Sequence, residues 1–251
     1  MLTTSITVAE TPVVRFLLAR ADDALVLGHR LSEWCGHAPI LEEDIALANL
    51  ALDLIGQARA LYGLAAETEG AGHDEDKLAY RRDERGYRNV LLVEQPNGDF
   101  AHTIVRHFLY SAYIDPWWRA ATRSSNAGFA AIAAKAEKES AYHLRHASEW
   151  LIRLGDGTAE SHRRAQAALD WLWPYTGELF HADETAIAPD SPALLPVWNA
   201  TVNDILAQAT LTRPRDGFMQ SGGRDGRHSE HLGPLLAELQ YLQRAHPGAT
   251  W

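Results

Sequence analysis

Two pairs of residues, Asp99 with His102 and Glu178 with His181, set a carboxylate and an imidazole three positions apart. On an α-helix that spacing puts both side chains on one face, one turn apart. Helical bundles hold a carboxylate-bridged pair of iron ions in this way. One Glu comes from each of two helices, and a Glu-x-x-His from each of the other two. His143 is a further candidate ligand, with Glu139 one turn before it and Ser140 at the i, i+3 position. The second candidate chemistry is anion binding. Arg81, Arg82, Arg85 and Arg88 cluster around Gly86, Tyr87 and Asn89 in a chain with 33 acidic and 23 basic residues. Arginine forks hold phosphates, and a tyrosine ring stacks on a base. The same stretch reads equally well as a solvated loop of local Arg–Asp/Glu pairs.

The elements that must position these groups are helical. Thr11-Pro12 is a cap followed by proline at the first helical position. The helix it opens is expected to run to Cys35, with an inward stripe of Val13, Leu17, Arg20, Ala24, Leu27, Leu31 and Trp34. A second helix is expected over 41–69, striped by Leu47, Leu50, Leu54, Gln57, Leu61 and Leu64. A short helix is expected over 74–81, and Val90 to Val93 passes for a strand without a partner. Further helices are expected over 99–123, kinked at Pro116, over 127–154, over 159–183 with Pro174 inside, over 192–211 and over 230–244. Arg213 to Arg227 reads as a mobile loop. Four long striped helices with accessory ones predict an all-α, up-and-down bundle in a single domain over 1–251. The long Arg82 to Gly98 passage matches the crossover of ferritin-like folds.

The stripes state which residues meet inside that bundle. Ala24 stands on the first helix, Leu54 and Gln57 at i, i+3 on the second, and Ser140 and His143 on the fourth long helix. Of these only His143 is a strong metal donor. The interior therefore reads as a di-iron bundle whose ligands have mostly been replaced. Asp99 follows Gly98 at a helix start, where capping is the better reading. Glu178 and His181 follow Pro174 and are expected to be exposed.

Six segments in order resemble the PaaC family over nearly the whole chain. They are RLSEWCGHAP (30–39), LDLIGQAR (52–59), RDER (82–85), LVEQPNG (92–98), YHLR (142–145) and HLGPLLAE (231–238). The resemblance implies the structural subunit of a multicomponent phenylacetyl-CoA 1,2-epoxidase. Its homologous catalytic partner, PaaA, carries Glu and His where this chain has Leu54 and Gln57. PaaA's first-helix Glu falls at Ala24, and its last Glu-x-x-His at Ser140 and His143. The resemblance further implies no cofactor in this chain, di-iron in the partner, a PaaB-like small subunit, and a reductase with FAD and an iron–sulfur centre. A heterotetramer of two catalytic–structural pairs is implied as well. On that basis Gly86, Tyr87, Arg88 and Asn89, and more weakly Ile187, Ala188 and Pro189, are expected to contact the CoA ester.

Two other functions fit the composition. One is an autonomous metalloenzyme using His143, Glu139, His102, Asp99, Glu178 and His181. The other is a stand-alone CoA-ester binder. The net charge of -10 argues against nucleic acid, which needs a cationic field. The one cysteine, Cys35, excludes an intrachain disulfide and a Cys-rich metal site. Met1 to Thr11 lacks the charged and apolar regions of a secretory leader, and no apolar run is long enough to span a bilayer. The cytosol is the expected location.

Overall fold

The structure, a computed structural model, describes residues 5–249. Among these, all regular elements are helices: α1 (Pro12–Ser32), α2 (Leu41–Glu69), α3 (Glu75–Tyr80), α4 (Leu91–Glu94), α5 (Phe100–Ala121), α6 (Ala127–Gly155), α7 (Ala159–Leu172), α8 (Leu195–Gln208), α9 (Leu232–Leu239) and α10 (Tyr241–Ala245). Among the described residues no helix is long and apolar enough to cross a membrane.

Side-chain caps set the starts of α1, α5 and α6. The Thr11 hydroxyl accepts from the Val14 N–H at 3.2 Å, ahead of Pro12. Asp99 accepts from the His102 N–H at 2.9 Å, so it caps α5 as its position suggested. Asn126 does the same for α6. Each satisfies a donor that the first turn leaves orphaned.

Side-chain contacts fix the directions. Asp22 meets Tyr62, and Gly28 faces Ala51, Leu54 and Ile55, so α1 and α2 are antiparallel. A Cβ on Gly28 would lie 3.2–3.3 Å from those neighbours; the bare backbone lets the two helices close up. Arg20 bonds Tyr113 and Trp34 bonds Thr103, so α5 opposes α1. Glu43 meets His146 and Gln57 meets Glu139, so α6 opposes α2. Consequently α2 and α5 run the same way, and the chain must travel the bundle's length between them. The 82–98 passage makes that crossover, as in a ferritin-like bundle. An apolar core runs along all four helices, interrupted by buried polar groups, and Phe16, Trp117, Trp118 and Phe129 fill one end with ring centroids 4.9–6.0 Å apart.

Several sequence expectations need correction. α1 stops at Ser32 instead of Cys35, and Asp44 takes the Gly36 N–H at 2.7 Å to turn the chain. Val90 to Val93 is no strand; one buried helical turn occupies it. The 159–183 helix ends at Leu172 and gives way to 3-10 turns, because Pro174 brings no N–H and disfavours helix before it. Glu178 is buried, not exposed, and 213–227 is tied down over its second half.

Those last corrections share a cause. Asp22 and Asp23 stand in the middle of α1 with no exposure. Asp22 accepts from Tyr62 at 2.5 Å, from the Arg82 guanidinium, and from the Arg88 N–H at 2.7 Å. Asp23 accepts from the Val90 N–H at 2.8 Å and from both ends of Arg224 at 3.0 and 2.7 Å. Glu178 takes the N–H groups of Leu91, Gly222 and Arg224 at 2.9–3.1 Å. Glu94 takes Asn89, His228 and the Ser229 N–H at 2.6–2.9 Å. Four buried carboxylates thus rivet the crossover to α1 on one side and to the 222–229 loop on the other. Gly223 is part of the fit, since a Cβ there would collide with the Asn89 carbonyl.

His228 adds a pH dependence. Its Nδ1 faces Glu94 at 2.9 Å and its Nε2 faces the Tyr87 carbonyl at 3.1 Å, so both nitrogens donate when the ring is charged. Burial opposes the charge, but Glu94 and the Tyr87 carbonyl prevail and raise the imidazole above its ordinary value. A raised folded pKa contributes stability fully below the unfolded value of about 6.5, and loses it as pH rises through the folded one. In urea titrations the stability gap between wild type and His228→Asn is therefore expected to be widest near pH 6 and to narrow by pH 9. A gap constant across that range would show a neutral ring.

Candidate functional site

The place to look for chemistry is the level where α1, α2, α5 and α6 meet. α1 brings Ala24, α2 brings Leu54 and Gln57, and α6 brings Ser140 and His143, all buried. The sequence stripes place these five correctly on the inner faces. They do not supply a metal site. Ala24 and Leu54 have no donor atom, the Ser140 hydroxyl is spent on the Glu137 carbonyl at 3.1 Å, and the Gln57 amide donates to Glu139 at 2.9 Å. A di-iron pair needs charged carboxylates around both ions, and this donor set does not fit one.

The polar groups near this level pair with one another. His143 Nε2 lies 3.3 Å from Asp53 Oδ2, His146 Nε2 lies 2.9 Å from Glu43 Oε2, and Gln57 meets Glu139. These are three rungs between α2 and α6. The stripe reading aimed Leu54 and Gln57, and no carboxylate, at His143; the structure brings Asp53 to it instead. Asp53 is one residue off the inner stripe, and its side chain reaches around the helix edge.

His107 on α5 escaped the sequence reading. It is buried, its ring centroid is 5.2 Å from that of His143, and neither ring nitrogen has a hydrogen-bond partner. Burial, with the nearby His143, His146 and Arg106, pushes its pKa well below the ordinary value, so it is neutral at pH 7. The available signal was a lone imidazole amid an apolar run on a buried helix.

The groups assigned to an autonomous metalloenzyme lie apart. Asp99 caps α5 and pairs with Arg164 at 3.4 Å. Glu178 is spent on three backbone donors, and His181 is exposed beyond the last 3-10 turn. Among the described residues no three His, Cys, Asp or Glu side chains gather as a metal-binding group.

The segment read as a CoA contact faces inward. Tyr87 is fully buried, its hydroxyl donates to the Ala79 carbonyl, and the Arg82 guanidinium sits 4.4 Å from the ring centroid. Asn89 is fully buried on Glu94. Arg88 pairs with Glu10 at 2.8 Å, and Gly86 gives its carbonyl to Arg82. Ile187 and Ala188 pack on the core and Pro189 is half-buried; the Ile187 carbonyl takes the Ser124 hydroxyl of the α5–α6 turn at 2.8 Å.

Antiparallel helix pairs and the long crossover together describe an all-α, ferritin-like helical bundle. The chain belongs to the PaaA_PaaC family, described as phenylacetic acid catabolic protein, whose profile matches residues 2–251. It is 49% identical over 243 residues to one component of the 1,2-phenylacetyl-CoA epoxidase of Escherichia coli (strain K12), the subunit lettered C, covering 94% of this chain and 98% of that one.

Replacing an unpartnered buried imidazole by an apolar side chain removes a desolvation cost. His107→Leu is expected to raise stability by about 1 kcal/mol at pH 7. A depressed folded pKa means that wild type loses stability as pH falls through the unfolded value near 6.5. The gain should therefore grow in urea titrations at pH 5.5. A variant less stable than wild type at both pH values would show that the imidazole has a partner.

Proposed function

We propose that this chain is the non-catalytic structural subunit of a multicomponent ring 1,2-phenylacetyl-CoA epoxidase, working in the cytosol in phenylacetate catabolism. It braces a PaaA-like subunit that carries the di-iron centre. A PaaB-like subunit and a reductase with FAD and an iron–sulfur centre complete the NADPH- and O2-dependent system. The observation that carries the proposal is the central level of the bundle: the fold of a di-iron protein is present, and Ala24, Leu54, Gln57 and Ser140 stand there. The relative named as an epoxidase subunit supports the reaction, because it aligns over almost the entire length of both chains.

Ligand loss suits a bracing role. Clustered buried carboxylates are costly without a metal to neutralise them. Apolar Leu54 and small Ala24 remove that cost and leave a bundle that is rigid without iron. Gly86 to Asn89 offer a CoA ester little, since Tyr87 and Asn89 are interior and Arg88 is paired. Subunit support is therefore the main contribution proposed for the chain.

Reconstitution tests this directly. The catalytic subunit, the small subunit and the reductase are assayed for phenylacetyl-CoA-dependent NADPH oxidation and epoxide formation, with and without this chain. Turnover is expected only when the chain is added, and none from the chain with reductase alone. Full turnover without it, or turnover by it alone, would overturn the reading.

A further inference from the structure

One face of α7 takes no part in the bundle core or in the carboxylate cluster on α1. Arg164, Ala168 and Trp171 are spaced by four and three, with Arg163 beside them, so they share one side of the helix. With Asp99 and His102 at the start of α5 they line a groove of about 370 Å³. That volume lies in the range of small-molecule sites, about 300–1,000 Å³. Trp171 is 57% exposed. Among the described tryptophans it alone is exposed; the others are buried or half-buried.

The groove is rich in donors. Arg163 and Arg164 both bond Glu160, at 2.6–3.0 Å, and Arg164 also reaches Asp99 at 3.4 Å. Each guanidinium thereby uses two N–H donors, and the others stay open on side chains that are at least half exposed. At the inner wall, burial and then Arg106 push the His102 imidazole down to about 4, so the ring is neutral at pH 7. Its Nε2 is buried and has no hydrogen-bond partner. An orphaned nitrogen at the wall of a groove calls for an acceptor from outside the chain. Behind His102, Arg106 is fully buried, and its guanidinium donates to the neutral Gln95 carbonyl and Asn97 side-chain oxygens. Three guanidiniums, of Arg106, Arg163 and Arg164, thus stand against two carboxylates, of Asp99 and Glu160, in a chain whose net charge is -10.

We infer that this groove binds a single phosphorylated nucleoside. The base stacks on the exposed indole of Trp171, a contact open to any base because each has a π-face. The phosphate lies between Arg163 and Arg164, whose planar forks match its oxygens two at a time, with one oxygen toward His102. Arg164 and Trp171 stand seven residues apart, roughly 10 Å along the helix axis. A pentose with its phosphates bridges that separation. An acidic peptide would use the arginines and leave the indole in water. A nucleic-acid strand would carry further phosphates onto an acidic surface that repels them. The ligand is therefore a small molecule: a free nucleotide, or the adenosine phosphate end of a CoA ester or of NADPH. The inference is independent of the structural-subunit reading above, which uses none of these side chains.

The test is isothermal titration calorimetry of the intact chain with adenosine 5′-monophosphate, CoA, NADPH and inorganic phosphate. The variants are Trp171→Ala, Arg163→Ser with Arg164→Ser together, and Arg85→Ser as an exposed arginine outside the groove. Thermal melts by circular dichroism report folding. Saturable binding of the monophosphate is expected, about tenfold weaker in Trp171→Ala and about tenfold or more weaker in the double arginine variant. The Arg85 variant is expected to bind within about twofold of wild type. CoA or NADPH binding about tenfold tighter than the monophosphate would support the inference and name that molecule as the source. Equal affinities would support it with a free nucleotide as the source. No saturable binding of any of the three nucleotides by wild type would overturn it. So would unchanged affinity of either folded groove variant. Inorganic phosphate binding as tightly as the monophosphate, with no dependence on Trp171, would make the groove a plain anion patch and overturn it as well. None of these outcomes bears on the structural-subunit reading, which reconstitution decides.

Discussion

Adjacent aspartates in the middle of a buried helix impose a demand on everything around them. Asp22 and Asp23 on α1 have no solvent contact, so their charges must be met by donors from the protein. The donors come from the far parts of the chain: Tyr62 on α2, Arg82 and the Arg88 and Val90 N–H groups on the crossover, and Arg224 near the C-terminus. A passage whose backbone amides end on carboxylates cannot wander, and the crossover's path sets which way α5 runs. Burial pushes the Asp23 carboxyl up, against Arg224 and Arg20, which pull it down. The cluster is thus not a source of large net stability. It favours one arrangement, because breaking any pair strands a charge.

The centre of the bundle obeys the same rule with the opposite outcome. Ala24 and Leu54 are buried there without any donor atom, so they leave no charge to be met. Acids stand instead at the α2–α6 edge, where Glu43 and Asp53 find His146 and His143, and Glu139 finds Gln57 and Lys135. These rungs join two helices that otherwise touch little through their backbones. They hold α2 and α6 together along their shared edge.

Much of this was legible in the sequence because it is local. Helix periods, the Thr11 and Asp99 caps, and the inner position of Leu54, Gln57, Ser140 and His143 all follow from spacing of four or fewer residues. The crossover was legible as a type, since a long passage separates two striped helices. What could not be read joins residues far apart in number. Arg224 reaches Asp23 across 201 positions, and Glu178 serves amides 44 and 87 positions away. Local pattern made the first a loop arginine and the second an exposed acid beyond a proline. Tyr87 misled for a related reason: an Arg-rich, Tyr-bearing segment has the composition of an anion site, and only the fold shows Arg82 on Asp22 and Arg88 on Glu10. His107 escaped because a single imidazole on a helix buried all round carries no periodic signal.

The measurement that bears most directly on the account is the metal content of this chain expressed alone in iron-replete cells and purified without chelators. A di-iron bundle carries about two iron atoms per chain. Iron at background, in protein whose helical content and cooperative melt show a folded bundle, is the predicted result. Stoichiometric iron near two per chain, with the absorption of an oxo- or carboxylate-bridged centre, would contradict it and make ligands of His143, Asp53 and Glu139.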